Sequence, residues 1–211
     1  MTSCQPIPDS SELRAYLDCG DIIDWRTPEV RSLADVLTAG AAADVDKAKR
    51  LYEWVRDEIS HSADAGHETV TCRASDVLRH RTGICYAKAH LLSAMLRAVG
   101  IPSGLCYQIL RDGPTSERLV VHGLNGIYLE SLDRWVRVDP RGNKPGVDAQ
   151  FSLDHEQLAF PAHPALGEFT CKTVFAQPLP VIVKCLTSHS NVTELMAHLP
   201  GSMDPGPIVR D

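Results

Sequence analysis

The chain is predicted to be α+β, with N-terminal helices packed on an antiparallel β-sheet. Three observations point there. Helix start signals and four-residue apolar spacing dominate from Asp9 to about Gly100. Runs rich in Val, Ile, Leu, Tyr and Trp follow as far as Asp139, and prolines at 161, 164, 178 and 180 then break up the remainder. A single domain over residues 1–211 is expected, with a core at about 45–145 and a C-terminal wrap of irregular structure and short helices over 146–211.

The elements follow in order. Asp9 with Glu12 fits a capping box before ELRAYL. Thr27-Pro28 sets an N-cap before a proline at the first helical position and opens PEVRSLADVL. Asp44 or Asp46 begins a longer helix in which Leu51, Val55 and Ile59 share one face. A second long helix runs from about Cys85 to Val99, with Leu91, Leu92, Met95, Leu96 and Val99 as its stripe and Gly100 as its stop. SGLCYQILR, RLVVHGLNGIYL and RWVRVD read as strands, the last two joined through ESLD as an antiparallel hairpin. A helix is expected near VIVKCL, and another after Asn191, where Glu194 completes a capping box.

Composition narrows the function. With 211 residues, 44% hydrophobic and 23% charged, the chain is an ordinary globule that needs no metal or disulfide staple. A net charge of −6, without a basic run, argues against nucleic acid as a partner. No apolar run approaches membrane-spanning length, and MTSCQPIPDSSELRAYL lacks the layout of a signal peptide. Seven cysteines cannot all pair internally, and no C-x-x-C occurs. A reduced, cytoplasmic chain is expected, its thiols mostly small buried hydrophobes.

Cys85 differs from the other six. It follows Arg81-Thr82-Gly83 and opens the helix YAKAHLLSAMLRAV, so its sulfur sits beside unpaired amides and the positive end of the helix dipole. Both favour a thiolate, and the same amides can bind an oxyanion. Such a nucleophile needs a base and a group to orient it. His90 is five residues along the helix, rotated off the Cys85 face. His61, His67 and His80 lie in or beside polar loops, and His155, His163, His189 and His198 fall in the stretch that sequence does not place. His122 lies inside an apolar strand, where an ionisable ring needs a partner. Asp139 ends the next strand. An even-numbered hairpin loop puts the two opposite or diagonal on one face, with the carboxylate accepting Nδ1–H of the ring. A one-residue slip puts them on opposite faces, and a merely structural His–Asp bond is the plainer reading.

The order Cys85, His122, Asp139 resembles the transglutaminase-like superfamily of papain-fold thiol enzymes, in a small bacterial-type form. LYEWVRDEI, ASDVLRHRTGICYAKAHLLSAMLRAVGIPSG and the strand pair ending in Trp135 and Asp139-Pro140 carry the resemblance, from about Lys49 to Lys144. It implies Cys85 as nucleophile, His122 as base and Asp139 as orienting acid. Two departures stand on the expected substrate wall: Gly123-Leu124-Asn125 after the histidine, where the family has a small residue and then an aromatic, and Arg141-Gly142 after Asp139-Pro140. For the second oxyanion donor, Trp54 reads as helix core and His61 is the candidate. Arg141 and Lys144 are candidates for a substrate carboxylate, with a solvated loop as the plainer reading. Tyr86 and Gln108 are candidates for the border of the cleft.

The function expected is cysteine-dependent acyl transfer: peptidase- or amidase-type hydrolysis of an amide through a thioester. Cross-linking of glutamine to an amine is the alternative. A non-catalytic binding module that keeps the fold is a second, and acetyl transfer a third. No cofactor or metal is called for, and the partner is a peptide, protein or small amide.

Overall fold

The computed structural model describes residues 5–203. The N-terminal half is helical: α1 Pro28–Thr38, α2 Asp44–Glu58, α3 Ser62–Ala65, α4 Ala74–His80 and α5 Cys85–Ala98. The first strand, β1 Ile7–Pro8, precedes them, and β2 Ser60–His61 and β3 Thr82–Gly83 lie between them. The sheet is built from β4 Ser103–Arg111, β5 Leu119–Leu129 and β6 Arg134–Val138, with β7 Phe169–Thr170 on its far edge. Its order is β6-β5-β4-β7, all antiparallel. Then come β8 Thr173–Val174, α6 Pro180–Thr187 and α7 Val192–Ala197. Mixed helix and strand with helices against an antiparallel sheet is the α+β, papain-like arrangement. No helix among the described residues is long and apolar enough to cross a membrane.

Helix α5 is the centre of the molecule. It packs on α1, α2 and α4 on one side and on β4 and β5 on the other, so residues 85–97 are buried all round. The single stripe expected from its leucines is therefore too narrow a reading. Its polar residues are absorbed by hydrogen bonds instead of by water. Arg97 donates to the carbonyls of Asp18, Ser103 and Ala176, His90 Nδ1 meets the Cys72 carbonyl, and Ser93 receives the Asn125 amide. Small residues let the neighbours approach: Ala87, Ala89 and Ala94 are each at most 1% exposed.

Other local expectations need correction. The segment after Asp9 is a 3-10 turn, Leu13–Leu17, because Asp9 is drawn away from capping to accept from Tyr16 Oη and the Ala176 amide. Thr27 does not cap α1 through its side chain; its hydroxyl donates to the Asp24 carbonyl. Asn191 does cap α7, accepting from the Glu194 amide at 2.8 Å. The C-terminal stretch is more than a wrap. It supplies β7 to the sheet, and β8 pairs in parallel with β1.

Candidate active site

One small ladder positions Cys85. Arg81 ends α4 in the left-handed region at φ +56°, its guanidinium 4.6 Å over the Trp54 ring, and turns the chain into β3. There β2 and β3 pair in parallel, His61 opposite Gly83. Gly83 has no room for a side chain, since a Cβ would stand 2.9 Å from the Ala87 Cβ and 3.0 Å from Thr71 Oγ1. The chain then enters α5 with Cys85 as its first helical residue. The first-turn amides of a helix have no intrahelical acceptor, and Cys85 stands among the residues that carry them. Cys85 is 9% exposed and opens on a cleft of about 640 Å³.

The β5–β6 hairpin supplies the other two groups. Leu129 faces Arg134 across residues 130–133, an even-numbered connection, and the ladder runs to Asn125 opposite Val138. One further step sets Asp139 beside Leu124, so His122 lies diagonally from it on the same face. The His122 Nε2–H donates to Asp139 Oδ2 at 2.7 Å. This corrects the expected ring orientation: the carboxylate takes Nε2, and Nδ1 is left for the Cys85 sulfur. Phe160 closes edge-on against the ring at 5.3 Å.

The electrostatics of the pair reinforce one another. Burial alone would depress the His122 ring, but Asp139 and the Cys85 sulfur outweigh it and hold the imidazole well above its ordinary value. Burial alone would raise Asp139. The His122 charge and the amides of Arg141 at 3.0 Å and Ala159 at 3.1 Å hold it below the ordinary carboxylate value. Asp139 itself is fully buried.

His61 stands on the opposite wall, lining the same cleft as Cys85. Burial, with the nearby charge of Arg141, pushes its ring down to about 3, so it is neutral at physiological pH. Its Nδ1 is buried without a hydrogen bond, 3.8 Å from Asp64, which leaves Nε2 as the nitrogen open to a cavity. Trp54 stays in α2 under Arg81 and does not line the cleft.

The remaining candidates divide. Arg141 lines the cleft but is not on a solvated loop: it is 7% exposed and forks onto Asp64 at 2.5 and 3.1 Å. Tyr86 and Gln108 are not among the cleft-lining residues. Tyr86 is buried, donates to the Val121 carbonyl, and fills the space a side chain on Gly123 would need; a Cβ there would stand 2.7 Å from its ring. Gln108 lies directly across the ladder from His122 and donates to the Phe160 carbonyl and Thr170 Oγ1, supporting the wall from behind. Leu124 is off the substrate wall too, packed with Tyr16, Cys106 and Trp135 in a separate cluster.

Sequence reasoning missed Phe160, His163 and Glu168, all of which line the cleft. Glu168 accepts from the amides of Arg111 at 2.9 Å and His163 at 2.8 Å, tying the segment after Phe160 to the end of β4. It also missed Lys88, buried one turn beyond Cys85, whose ammonium donates to the Arg56 and Ile59 carbonyls at the end of α2. Burial pushes that lysine down to about 7. A lysine in a run of apolar residues was the available signal.

A helix-borne thiol facing a strand-borne His–Asp pair across a cleft is the layout of the papain-like class. The description of the transglutaminase-like superfamily matches residues 31–140, more than half of the chain, and the chain belongs to that superfamily. A Cytophaga hutchinsonii protein proposed as a cysteine protease shares the fold with a TM-score of 0.51, at 17% identity over 63% of this chain and 43% of that one. The periplasmic domain of TgpA from Pseudomonas aeruginosa, solved with ethylmercury bound, matches at 21% identity and a TM-score of 0.47, over 62% of this chain and 50% of that one. The chain thus spans half or less of the length of either. No curated protein matches it significantly.

Proposed function

We propose that this protein is a cysteine-dependent acyl-transfer enzyme that hydrolyses an amide through a thioester on Cys85. The observation that carries the reading is His122, held at 2.7 Å by Asp139 and flanked on its other side by the Cys85 sulfur. His122 Nδ1 takes the thiol proton, and Sγ attacks the carbonyl carbon. The resulting oxyanion is met by the first amides of α5 and by His61. The imidazolium then returns its proton to the departing amine, leaving the acyl thioester. Water attacks next, His122 accepts its proton, and the acid departs as the thiol is restored.

Hydrolysis is favoured over transfer to a protein amine. A cleft of about 640 Å³ suits a small amide or a chain end, and the segment carrying Phe160 and His163 closes one side of it. The chemistry requires Cys85 to be a free thiol, which a reducing compartment such as the cytoplasm would favour.

Iodoacetamide labelling at pH 6, mapped by mass spectrometry, tests the assignment. Cys85 is expected to label ahead of every other thiol, and uniform labelling would refute the reading. His61→Leu is expected to lower turnover about 10²-fold, the usual cost of one oxyanion donor, with partial recovery in His61→Gln. Unchanged turnover in His61→Leu would assign the second donor elsewhere.

A further inference from the structure

We propose that the cleft takes a substrate bearing a carboxylate, clamped by Arg141 and Lys144 beside the Cys85 sulfur. The inference rests on Cys85 being the nucleophile and adds the class of substrate it attacks.

Charge imbalance is the first ground. Asp64 receives both Arg141 Nη atoms, at 2.5 and 3.1 Å, and Lys144 Nζ at 2.6 Å. Two cations of the cleft wall therefore share one carboxylate that lies behind it, and one positive charge is left over. The other charges nearby do not neutralise it. Asp139 is matched by His122, Asp57 by Arg56, and Asp112 by Arg118. Glu168, whose two backbone amide partners carry no charge, is offset by Arg111, a cation lining the same cleft whose guanidinium bonds the Leu166 carbonyl. A guanidinium only 8% exposed, sharing its counter-ion, sits where a further anion gains most.

Geometry is the second ground. Each Nη of Arg141 gives one N–H to Asp64, and its other N–H groups meet no acceptor among the described residues. The guanidinium lies 5.5 Å over the Phe160 ring, and Phe160 closes on His122 at 5.3 Å. The clamp is thereby fixed relative to the reacting groups. Arg offers two parallel N–H bonds, the geometry that suits a carboxylate. His61, between Asp64 and the cleft, is kept uncharged partly by Arg141 and Lys88, which places the same positive field at the point of attack. Leu110, Val120, Met196 and Leu199 give the cleft an apolar stretch, against which the carboxylate would fix the register of the substrate's apolar part.

Iodoacetate and iodoacetamide differ in one charge and test the clamp directly. Their rates of alkylation at Cys85, read by mass spectrometry and referred to glutathione, are expected to favour iodoacetate about tenfold in the wild type at low salt. The preference should shrink at 0.5 M salt and fall severalfold in Lys144→Gln, whose side chain is 41% exposed and leaves the core untouched. Arg141→Gln should abolish it. A preference unchanged in Lys144→Gln, or a parallel fall of both rates with their ratio intact, would overturn the clamp. Iodoacetamide that ignores Cys85 in favour of other thiols would instead overturn Cys85 as the nucleophile. A chain-terminal carboxylate and an acidic side chain both supply the group. N-acetylalanine and the α-amide of N-acetylglutamic acid, used to protect Cys85 from iodoacetamide, separate the two sources. Protection by either beyond that of N-acetylalaninamide supports the clamp and names the source, and no excess protection overturns it.

Discussion

The wild-type protein is expected to release a burst of 4-nitrophenolate from 4-nitrophenyl acetate, and Cys85→Ala to abolish it and to lower steady turnover about 10⁴-fold or more. The burst should equal the enzyme concentration, because each Cys85 sulfur is acylated once before slower deacylation. The rival thiols are poorly placed to replace it. Burial pushes Cys72 up to about 11, and burial with the nearby Cys85 does the same to Cys185, while Cys106 is buried deeper in the sheet and is raised further still. Cys171 is fully buried as well, and none of these sits at the first turn of α5. Alanine at that position keeps good helix propensity and removes one small atom from a site 9% exposed, so thermal stability should change by about 1 kcal/mol or less. A burst of full amplitude in the variant would show that another residue carries the acyl group.

Much of the site was legible because its residues announce themselves by local chemistry. A cysteine opening a helix after a glycine turn, and a histidine inside an apolar strand, each break the pattern of their element, and such breaks mark function. The hairpin could be counted, so the shared face of His122 and Asp139 followed from parity. What could not be read depends on contacts distant in sequence. Phe160 packs on the His122 ring from 38 positions further along the chain, and its own segment, beyond β6, has neither helix nor strand periodicity to place it. Strand spacing puts His122 and Asp139 on one face but does not choose between Nε2 and Nδ1. Arg141 reads as a loop residue because its partner, Asp64, lies 77 positions earlier in the chain, so its burial left no local trace. Helix α5 was read as one-sided for a related reason: the carbonyls that satisfy Arg97 and Lys88 belong to other segments.

Asp139→Asn separates the two things this carboxylate does, orienting His122 and charging it. The asparagine oxygen can still accept the His122 Nε2–H, so orientation is partly kept, but the charge is gone. Turnover is expected to fall by about 10² to 10⁴. The alkaline limb of the kcat/KM profile should also move to lower pH, because Asp139 is what holds the imidazolium against burial. Linkage fixes the accompanying stability change. A His122 value raised on folding contributes stability that is full below the unfolded histidine value and is lost as pH rises through the folded one. A lowered Asp139 value contributes stability that is present above the unfolded aspartate value and is lost as pH falls through the folded one. Both are the same interaction seen from its two partners, so the variant should lose one contribution between those limits, not two. To it is added a buried conflict. Asp139 accepts from His122, Arg141 and Ala159, and an amide NH₂ in place of one oxygen leaves at least one donor facing another, at a cost of about 1–3 kcal/mol. That cost is independent of pH, whereas the lost charge is not. Thermal melts from pH 4 to 9 therefore tell the two apart: a uniform drop assigns Asp139 to orientation alone, and a drop concentrated between the aspartate and histidine values assigns it the charge as well. An alkaline limb that stays in place while turnover falls would refute the electrostatic role.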